Sequence, residues 1–191
     1  MENIKPNIIQ GFNEIVQTIK GIEKQFPEQE HFISFVSFNG MGTKIHHLVD
    51  PASSLEELNT SNYHPNASTP LFDAVGFSVL KQQQFLQGKT GYNVLVTILT
   101  DGEENASKEF NVVSIKSLVE KLQKEGWTFT YIGTDHDLEK MGRSISISNL
   151  KSFSRDTKSM QRLFEDEKMA REAYCMKIRN LEDPNKGFYE K

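Results

Sequence analysis

Residues 92–102 read YNVLVTILTDG, and they carry the clearest strand signal in the chain. Apolar and β-branched side chains fall on both alternating faces of residues 92–100, which is typical of a strand covered on two sides. The stretch ends in Asp101-Gly102, a pair that favours a turn. We therefore predict a buried strand here, more central than any other in the chain, with a loop that begins at Asp101.

Segments with helical and strand periodicity alternate along the rest of the chain. Apolar residues at three- and four-residue intervals predict helices over 4–26, 71–88, 112–125 and 155–182, and a short helix through Met141. Strand patterns cover 32–38, 44–49, 127–133 and, weakly, 145–153. The alternation predicts an α/β fold, a three-layer α/β/α Rossmann-like arrangement with a mostly parallel sheet. Residues 32–38 are expected in its interior and residues 44–49 as one antiparallel edge strand.

Composition argues against several classes of partner. The chain has 26 acidic against 22 basic residues, a formal net charge of −4, and no recurring Lys/Arg stripe, so we expect no nucleic-acid partner. Its strongest apolar run is too short to cross a bilayer and no export signal is evident, so we expect a cytoplasmic protein with no membrane partner. The single cysteine, Cys175, cannot form an intrachain disulfide, and we expect it to be buried as a small apolar side chain.

Polar residues follow the predicted strands, and in a parallel sheet ligands bind beyond the carboxyl ends of the strands. The candidate positions are Asn39-Gly40, Thr69, Asp101 and Thr134-Asp135. Thr69 closes a long polar loop, residues 50–70, that is expected to hold at most one helical turn, at 55–58. Before Pro70, Thr69 is also suited to cap a helix whose first residue is the proline. This threonine therefore has two interpretations, a helix cap and a ligand.

The ordered set of motifs resembles the von Willebrand factor A family. Residues 68–74, STPLFDA, precede a helix, and residues 96–102, VTILTDG, close a buried strand, as in the second and third loops of that family. The strand at 35–39 comes before these motifs and the strand at 127–133 after them, in the order that the family shows. The resemblance therefore covers roughly residues 1–150. It implies a stand-alone member of the bacterial type, a module that binds other proteins.

The resemblance also implies a metal-ion-dependent adhesion site. By its motifs, Thr69 would supply a hydroxyl ligand to Mg²⁺ or Mn²⁺, and Asp101 a carboxylate that binds directly or through a water. Mg²⁺ takes about six oxygens near about 2.1 Å. Because the family's site contains few carboxylate ligands, the bound ion stays electron-poor. A carboxylate of a partner protein then completes its coordination shell. The family's Asp-x-Ser-x-Ser motif has no counterpart here, and we therefore expect a degenerate site with weak metal binding or none.

The resemblance implies that the family's first strand, which carries that motif, is missing as well. We thus expect an incomplete domain over 1–154, a helix at 155–182 packed on the same domain, and a polar tail at 183–191. The missing strand would lie between those at 32–38 and 92–100, and its loss would remove about 10 kcal/mol of core burial. We expect a marginally stable chain that self-associates through this gap. A monomer that melts cooperatively above about 60 °C would contradict that expectation.

Other polar residues have simpler interpretations. Glu103-Glu104 could add oxygens to the site, but a surface acidic run is favoured. Asp135-His136-Asp137 is interpreted as a solvated loop with an N-cap at Asp137, and His46-His47 have no predicted role. The last helix is expected to bury its apolar stripe, while Phe188 and Tyr189 beyond it offer a second docking surface.

Other function classes stand beside a metal-dependent protein-binding module. A metal-free scaffold of the same fold would need none of these ligands. A metal-dependent phosphohydrolase also begins from a strand-end aspartate, but Asn39, Thr69 and Thr134 are poor substitutes for the further acidic pair or lysine that it needs. Nucleotide binding is disfavoured because neither Gly-x-Gly-x-x-Gly nor a phosphate-loop motif is present. We therefore expect binding and not catalysis.

Overall fold

A computed structural model describes residues 5–64, 68–134, 138–154, 156–185 and 187–189. Within them the helices are α1 (Lys5–Gln25), α2 (Leu71–Leu86), α3 (Val112–Lys124), α4 (Leu138–Ser144) and α5 (Thr157–Arg179). The strands are β1 (Phe32–Asn39), β2 (Gly42–Pro51), β3 (Leu95–Leu99), β4 (Thr128–Thr134) and β5 (Asn149–Phe153). The predicted α/β class is confirmed. None of these helices combines the length and the apolar character needed to cross a membrane.

The chain divides into two compact units. The first comprises Met1–Ile33, Asp50–Pro65 and Phe153–Lys191, and it contains α1 and α5. The second comprises Ser34–Val49 and Asn66–Ser152, and it contains α2, α3 and α4 together with most of the strand residues.

The described strands form two sheets. β3, β4 and β5 make a parallel sheet in that order, with Leu95 opposite Thr128 and Leu99 opposite Ile132. β1 and β2 make a separate antiparallel pair. The interior position predicted for residues 32–38 is wrong, because among the described strands β1 pairs with β2 alone and none of its residues is buried.

The central strand of the parallel sheet is β4. Every residue of β4 except Thr134 is buried, whereas in β3 only Ile98 is buried. β4 has a strand on each side, and β3 lies at the end of the sheet. The prediction that residues 92–100 form the most central strand is therefore wrong. Periodicity reports which side chains can be buried, and it carries no information on strand order.

α2 and α3 pack on the parallel sheet through one core. It includes Leu71, Val75, Val79, Ile115, Val119, Leu122, Trp127 and Phe129. α3 begins where Asn111 accepts hydrogen bonds from the Val113 and Ser114 amides in a capping box, and Gly126 follows it with a φ of 89°. The bounds of α3 confirm the helix predicted at 112–125.

In the first unit α1 packs against α5. The Asn13 side chain holds the chain after the Ala52–Ser54 3₁₀ turn, accepting from the Leu58 amide at 2.7 Å and donating to the Leu58 carbonyl at 3.0 Å. The turn precedes the position predicted for it at 55–58, where Leu55 and Leu58 are both buried in a segment that is not helical. The three-residue spacing of Leu55 and Leu58 therefore reflects the burial of both side chains and not a helical turn.

α5 carries a buried charged cluster. Glu167 is fully buried and forms an ion pair with Arg171 at 3.1 Å, and the Tyr189 hydroxyl donates a hydrogen bond to its carboxylate. Phe188 is buried and packs edge-on against Tyr174. Phe188 is thus not an exposed docking residue, whereas Tyr189 is only partly buried, and the predicted docking role of this end of the chain stays a prediction.

Two further side chains on or near α5 test the predicted apolar stripe. Cys175 is buried as expected, and burial raises the pKa of its thiol to about 11, so the thiol stays protonated. Leu181 falls inside the helix predicted at 155–182, but it is 95% exposed because α5 ends at Arg179. The inward stripe therefore stops before the end of the predicted helix.

The outer edge of β3 carries no charged residue. The Thr128 amide donates to the Val94 carbonyl and the Thr100 amide to the Ile132 carbonyl, so alternate residues of β3 face β4. The backbone groups of Leu95 and Leu99 therefore point away from β4. No described strand pairs with this edge, and β3 has neither the charge nor the proline that blocks edge-to-edge pairing.

We expect the chain to self-associate through the β3 edge. Sedimentation velocity across a dilution series should show a monomer converting to larger species, and Leu95→Lys should suppress the conversion by placing a charge on the edge. Val113→Lys is the matched control, since Val113 is an apolar residue of α3 that is 72% exposed. A chain that stays monomeric at every concentration would contradict this expectation.

Candidate functional site

Thr69 and Asp101-Gly102 lie next to each other beyond the carboxyl end of β3. The Thr69 Oγ1 atom is 2.6 Å from the position that a Cβ atom on Gly102 would occupy. A side chain at position 102 would collide with the threonine hydroxyl, so the close approach requires glycine. Thr69 and Asp101 are both partly buried. The two candidate residues therefore converge on one end of the second unit.

Thr69 does not cap α2. The helix begins at Leu71 after Pro70 and has no side-chain cap from its N-cap residue. Its first amides are satisfied from another loop: the Phe72 amide donates to Glu104 Oε2 at 2.8 Å, and the Asp73 amide to Ser107 Oγ at 3.0 Å. The capping role predicted for Thr69 is wrong. Within the described ranges its hydroxyl has no hydrogen-bond partner, which leaves both lone pairs available to a ligand.

Asn105 holds the backbone of Thr69 in place. The Thr69 amide donates to Asn105 Oδ1 at 2.9 Å, and the Asn105 amide donates to the Thr69 carbonyl at 3.2 Å. One residue thus satisfies both main-chain groups of Thr69 and ties it to the loop that starts at Asp101.

Glu104 is a structural carboxylate and does not belong to a solvated acidic run. Besides the Phe72 amide, it accepts hydrogen bonds from the Ala106 amide at 2.8 Å, the Ser107 amide at 2.8 Å and the Ser107 hydroxyl at 2.6 Å. Desolvation works to raise the pKa of Glu104, but these hydrogen bonds outweigh it and the pKa lies below the usual value. The surface interpretation fits Glu103, which is exposed, and is wrong for Glu104.

Asp73 makes the reverse connection from α2 to the loop. Its carboxylate accepts from the Lys108 amide at 2.8 Å, the Glu109 amide at 3.0 Å and the Phe110 amide at 2.8 Å. Desolvation opposes ionisation, yet the three amides lower the pKa of Asp73 below its usual value. Asp73 and Glu104 therefore remain ionised at neutral pH and keep these hydrogen bonds.

The other strand-end candidates lie nearby or serve in turns. A Cβ atom on Gly40 would stand 3.3 Å from Ser68 Oγ, so the turn between β1 and β2 reaches the residue before Thr69. Asn39 Oδ1 accepts from the Met41 amide at 2.9 Å, a turn contact. Leu99 and Ile132 are register partners, and Asp101 and Thr134 each lie two residues after them. Both residues are therefore at the carboxyl end of the parallel sheet. The loop predicted at Asp135-His136-Asp137, with its N-cap, falls outside the described residues.

His46 makes a contact across the antiparallel pair. It is hydrogen-bonded to Ser37 Oγ at 2.8 Å and stacks on Phe35 with ring centroids 4.7 Å apart. Desolvation, with smaller contributions from Lys44 and His47, lowers the pKa of His46. A neutral imidazole that packs between strands explains this residue without a ligand.

The donor atoms at the site match a hard divalent cation in type but not in number. Thr69 supplies a hydroxyl and Asp101 a carboxylate, both oxygen ligands that Mg²⁺ and Mn²⁺ accept. Glu104 cannot be added, because four hydrogen bonds already occupy its oxygens. In the described part of the chain no group of three or more His, Cys, Asp or Glu side chains could hold a metal ion. Oxygens from outside this pair, such as those of water, would have to complete the shell of a cation.

Sequence reasoning missed the roles of Glu104, Asp73 and Asn105. One local signal existed, since an acidic residue in the first turn of a helix, such as Asp73, is typically held there by the helix dipole. Each of the three residues also has a partner more than thirty positions away in the chain. Only the folded chain reveals such contacts. Comparison with protein-family models, curated proteins and solved structures finds no match to this chain.

Proposed function

We propose that this chain is a protein-recognition module of the von Willebrand factor A type. Its binding surface would be the end of the second unit where Thr69 and Asp101 converge, and they would form a degenerate site for Mg²⁺ or Mn²⁺. The observation that carries the proposal is that the Thr69 hydroxyl lies 2.6 Å from the position a Cβ atom on Gly102 would occupy, while Glu104 and not Thr69 accepts from the first turn of α2. The proposal includes the family's three-layer arrangement of sheet and helices.

The chemistry of recognition follows from the small number of anionic ligands. One carboxylate and one hydroxyl neutralise only part of a divalent charge, so a bound cation would favour an additional anionic oxygen. Glu or Asp side chains of a partner protein provide such an oxygen. Thr69 and Asp101 would therefore act together to present the cation and not to activate water, and the proposed activity is binding.

Cation titration tests this proposal. We expect Mn²⁺ to bind weakly to the unmodified chain, to broaden the amide signals of Thr69 and Gly102 selectively, and to bind more tightly when acetate is present as a mimic of the partner's carboxylate. Asp101→Asn and Thr69→Val should each weaken Mn²⁺ binding, by about tenfold or more. Glu103→Gln is the control for charge, because Glu103 is exposed and no bond to it is found among the described residues.

The titration also separates the proposal from its alternative, a metal-free scaffold of the same fold. The alternative is favoured by the shortage of carboxylates at the site. If Mn²⁺ produces no change in the spectrum of a folded chain, with or without acetate, the metal-dependent proposal fails. If Glu103→Gln weakens binding as much as Asp101→Asn does, the cation is bound by general surface charge and the assignment to Thr69 and Asp101 fails.

A further inference from the structure

We infer that Glu104 and Asp73 are positioning residues that hold Thr69 beside Asp101-Gly102. Neither carboxylate is a ligand in this inference, since each is committed to backbone amides. The inference concerns how the chain assembles the site, and only its consequence for cation binding rests on the proposed function above.

Glu104 and Asp73 together form a clamp between α2 and the loop that follows β3, residues 101–111. The first half of the clamp runs from this loop to α2. Oε2 of Glu104 accepts from the Phe72 amide in the first turn of α2, while Oε1 accepts from the Ala106 and Ser107 amides in its own loop. One side chain therefore bridges both segments with two separate oxygens. A side chain with a single acceptor oxygen cannot make both sets of contacts.

The second half runs in the opposite direction, from α2 to the loop. Asp73, the residue after Phe72, accepts from three consecutive amides, Lys108 to Phe110, and its own amide donates to Ser107 Oγ. Phe110 then packs over Gly76, where a Cβ atom would stand 2.7 Å from its ring. Because each segment holds the other, neither can shift alone.

Thr69 is fixed through Asn105, which directly follows Glu104. Asn105 belongs to the clamped loop, so its two hydrogen bonds to Thr69 hold the backbone of the threonine against that loop. Gly102 lies two residues before Glu104 in the same loop, so the clamp also sets how closely the Thr69 hydroxyl approaches the backbone of Gly102. The spacing of the two site residues thus depends on a carboxylate that touches neither of them.

The test compares Glu104→Gln with Glu103→Gln in the full chain. Both substitutions remove one negative charge from adjacent positions, but only the first removes an acceptor oxygen from the clamp. The direct readout is the nuclear Overhauser effect between the Thr69 side-chain protons and the α-protons of Gly102, with thermal unfolding as a check that the variant is folded. We expect Glu104→Gln to abolish this contact and to weaken Mn²⁺ binding about tenfold or more, while Glu103→Gln leaves both unchanged.

Asn105→Ala provides a milder second variant in case Glu104→Gln does not fold. It removes only the acceptor of the Thr69 amide, and we expect it to weaken the same contact. A folded Glu104→Gln, or failing that a folded Asn105→Ala, that retains the Thr69 to Gly102 contact overturns the inference, whatever the cation does. Absence of the contact in the unmodified chain overturns it too. If the contact is present and lost as expected but no Mn²⁺ binds, the positioning role stands and the proposed function fails.

Discussion

Replacing Glu167 with alanine should lower the free energy of unfolding by about 3 kcal/mol, the lower end of the cost of breaking a buried ion pair. The change leaves the guanidinium of Arg171, which is 14% exposed, without its carboxylate 3.1 Å away. It also removes the acceptor of the Tyr189 hydroxyl. Partial exposure of Arg171 allows some rehydration, which is why the upper end of the range is not expected. Urea denaturation at neutral pH measures the change.

Glu165→Ala is the matched control for this prediction. Glu165 lies on the same helix as Glu167 and is exposed. The two substitutions to alanine therefore change helix propensity equally, but Glu165→Ala removes no contact with a buried partner. Its effect should stay within about 0.5 kcal/mol. Tyr189→Phe isolates the hydrogen bond of the tail and should cost about 1 kcal/mol. If Glu167→Ala is no more destabilising than Glu165→Ala, the buried cluster does not stabilise the first unit.

Two glycines of α1 should respond in opposite directions to the same substitution. A Cβ atom on Gly11 would stand 1.7 Å from Cε2 of Phe164, whose ring is buried in the contact between α1 and α5. The helices would have to separate or the ring leave its position, and overpacking of this kind costs about 1–3 kcal/mol. We expect Gly11→Ala to destabilise the chain by about 2 kcal/mol in urea denaturation.

Gly21→Ala is the counterpart in the same helix. Nothing lies within 4 Å of the position its Cβ atom would take, so only helix propensity changes. Alanine at this exposed position should stabilise the chain by about 0.5–1 kcal/mol. The double variant Gly11→Ala with Phe164→Leu should recover part of the loss, because the smaller side chain vacates the space. Equal effects of the two glycine substitutions would show that α1 and α5 do not pack closely at Gly11.

Elements defined by local patterns were predictable. The bounds of α3 follow from apolar spacing, an asparagine cap and a terminal glycine, all of which are local features of the sequence. The positions of Thr69 and Asp101 at the ends of their segments were predicted for the same reason, since turn and strand-end chemistry depends on neighbours in the chain. Their close approach did not follow from these local patterns, because Thr69 follows no strand of the parallel sheet and is held beside the loop of Asp101 by Asn105.

Local patterns failed where a residue's surroundings come from distant segments. The sequence of β3 is more apolar than that of β4, yet among the described strands only β4 has a strand on both sides, and all of its residues except Thr134 are buried. A threonine before a proline predicts a helix cap, but a carboxylate that follows it by 35 positions occupies that role. The sequence predicts that Phe188 and Tyr189 are exposed in a polar tail. In the structure Phe188 packs against Tyr174, and Tyr189 donates a hydrogen bond to Glu167.

By itself the sequence determined the α/β class, the helices, the strand segments and the polar residues at their ends, because periodicity and turn chemistry act over a few residues. Tertiary structure alone decided which strand is central, and which carboxylate caps α2 and binds its partner loop. It also decided which aromatic side chains of the tail are buried. These outcomes depend on hydrogen bonds and contacts between segments that are distant in the chain, and such contacts exist only once the backbone has brought the segments together.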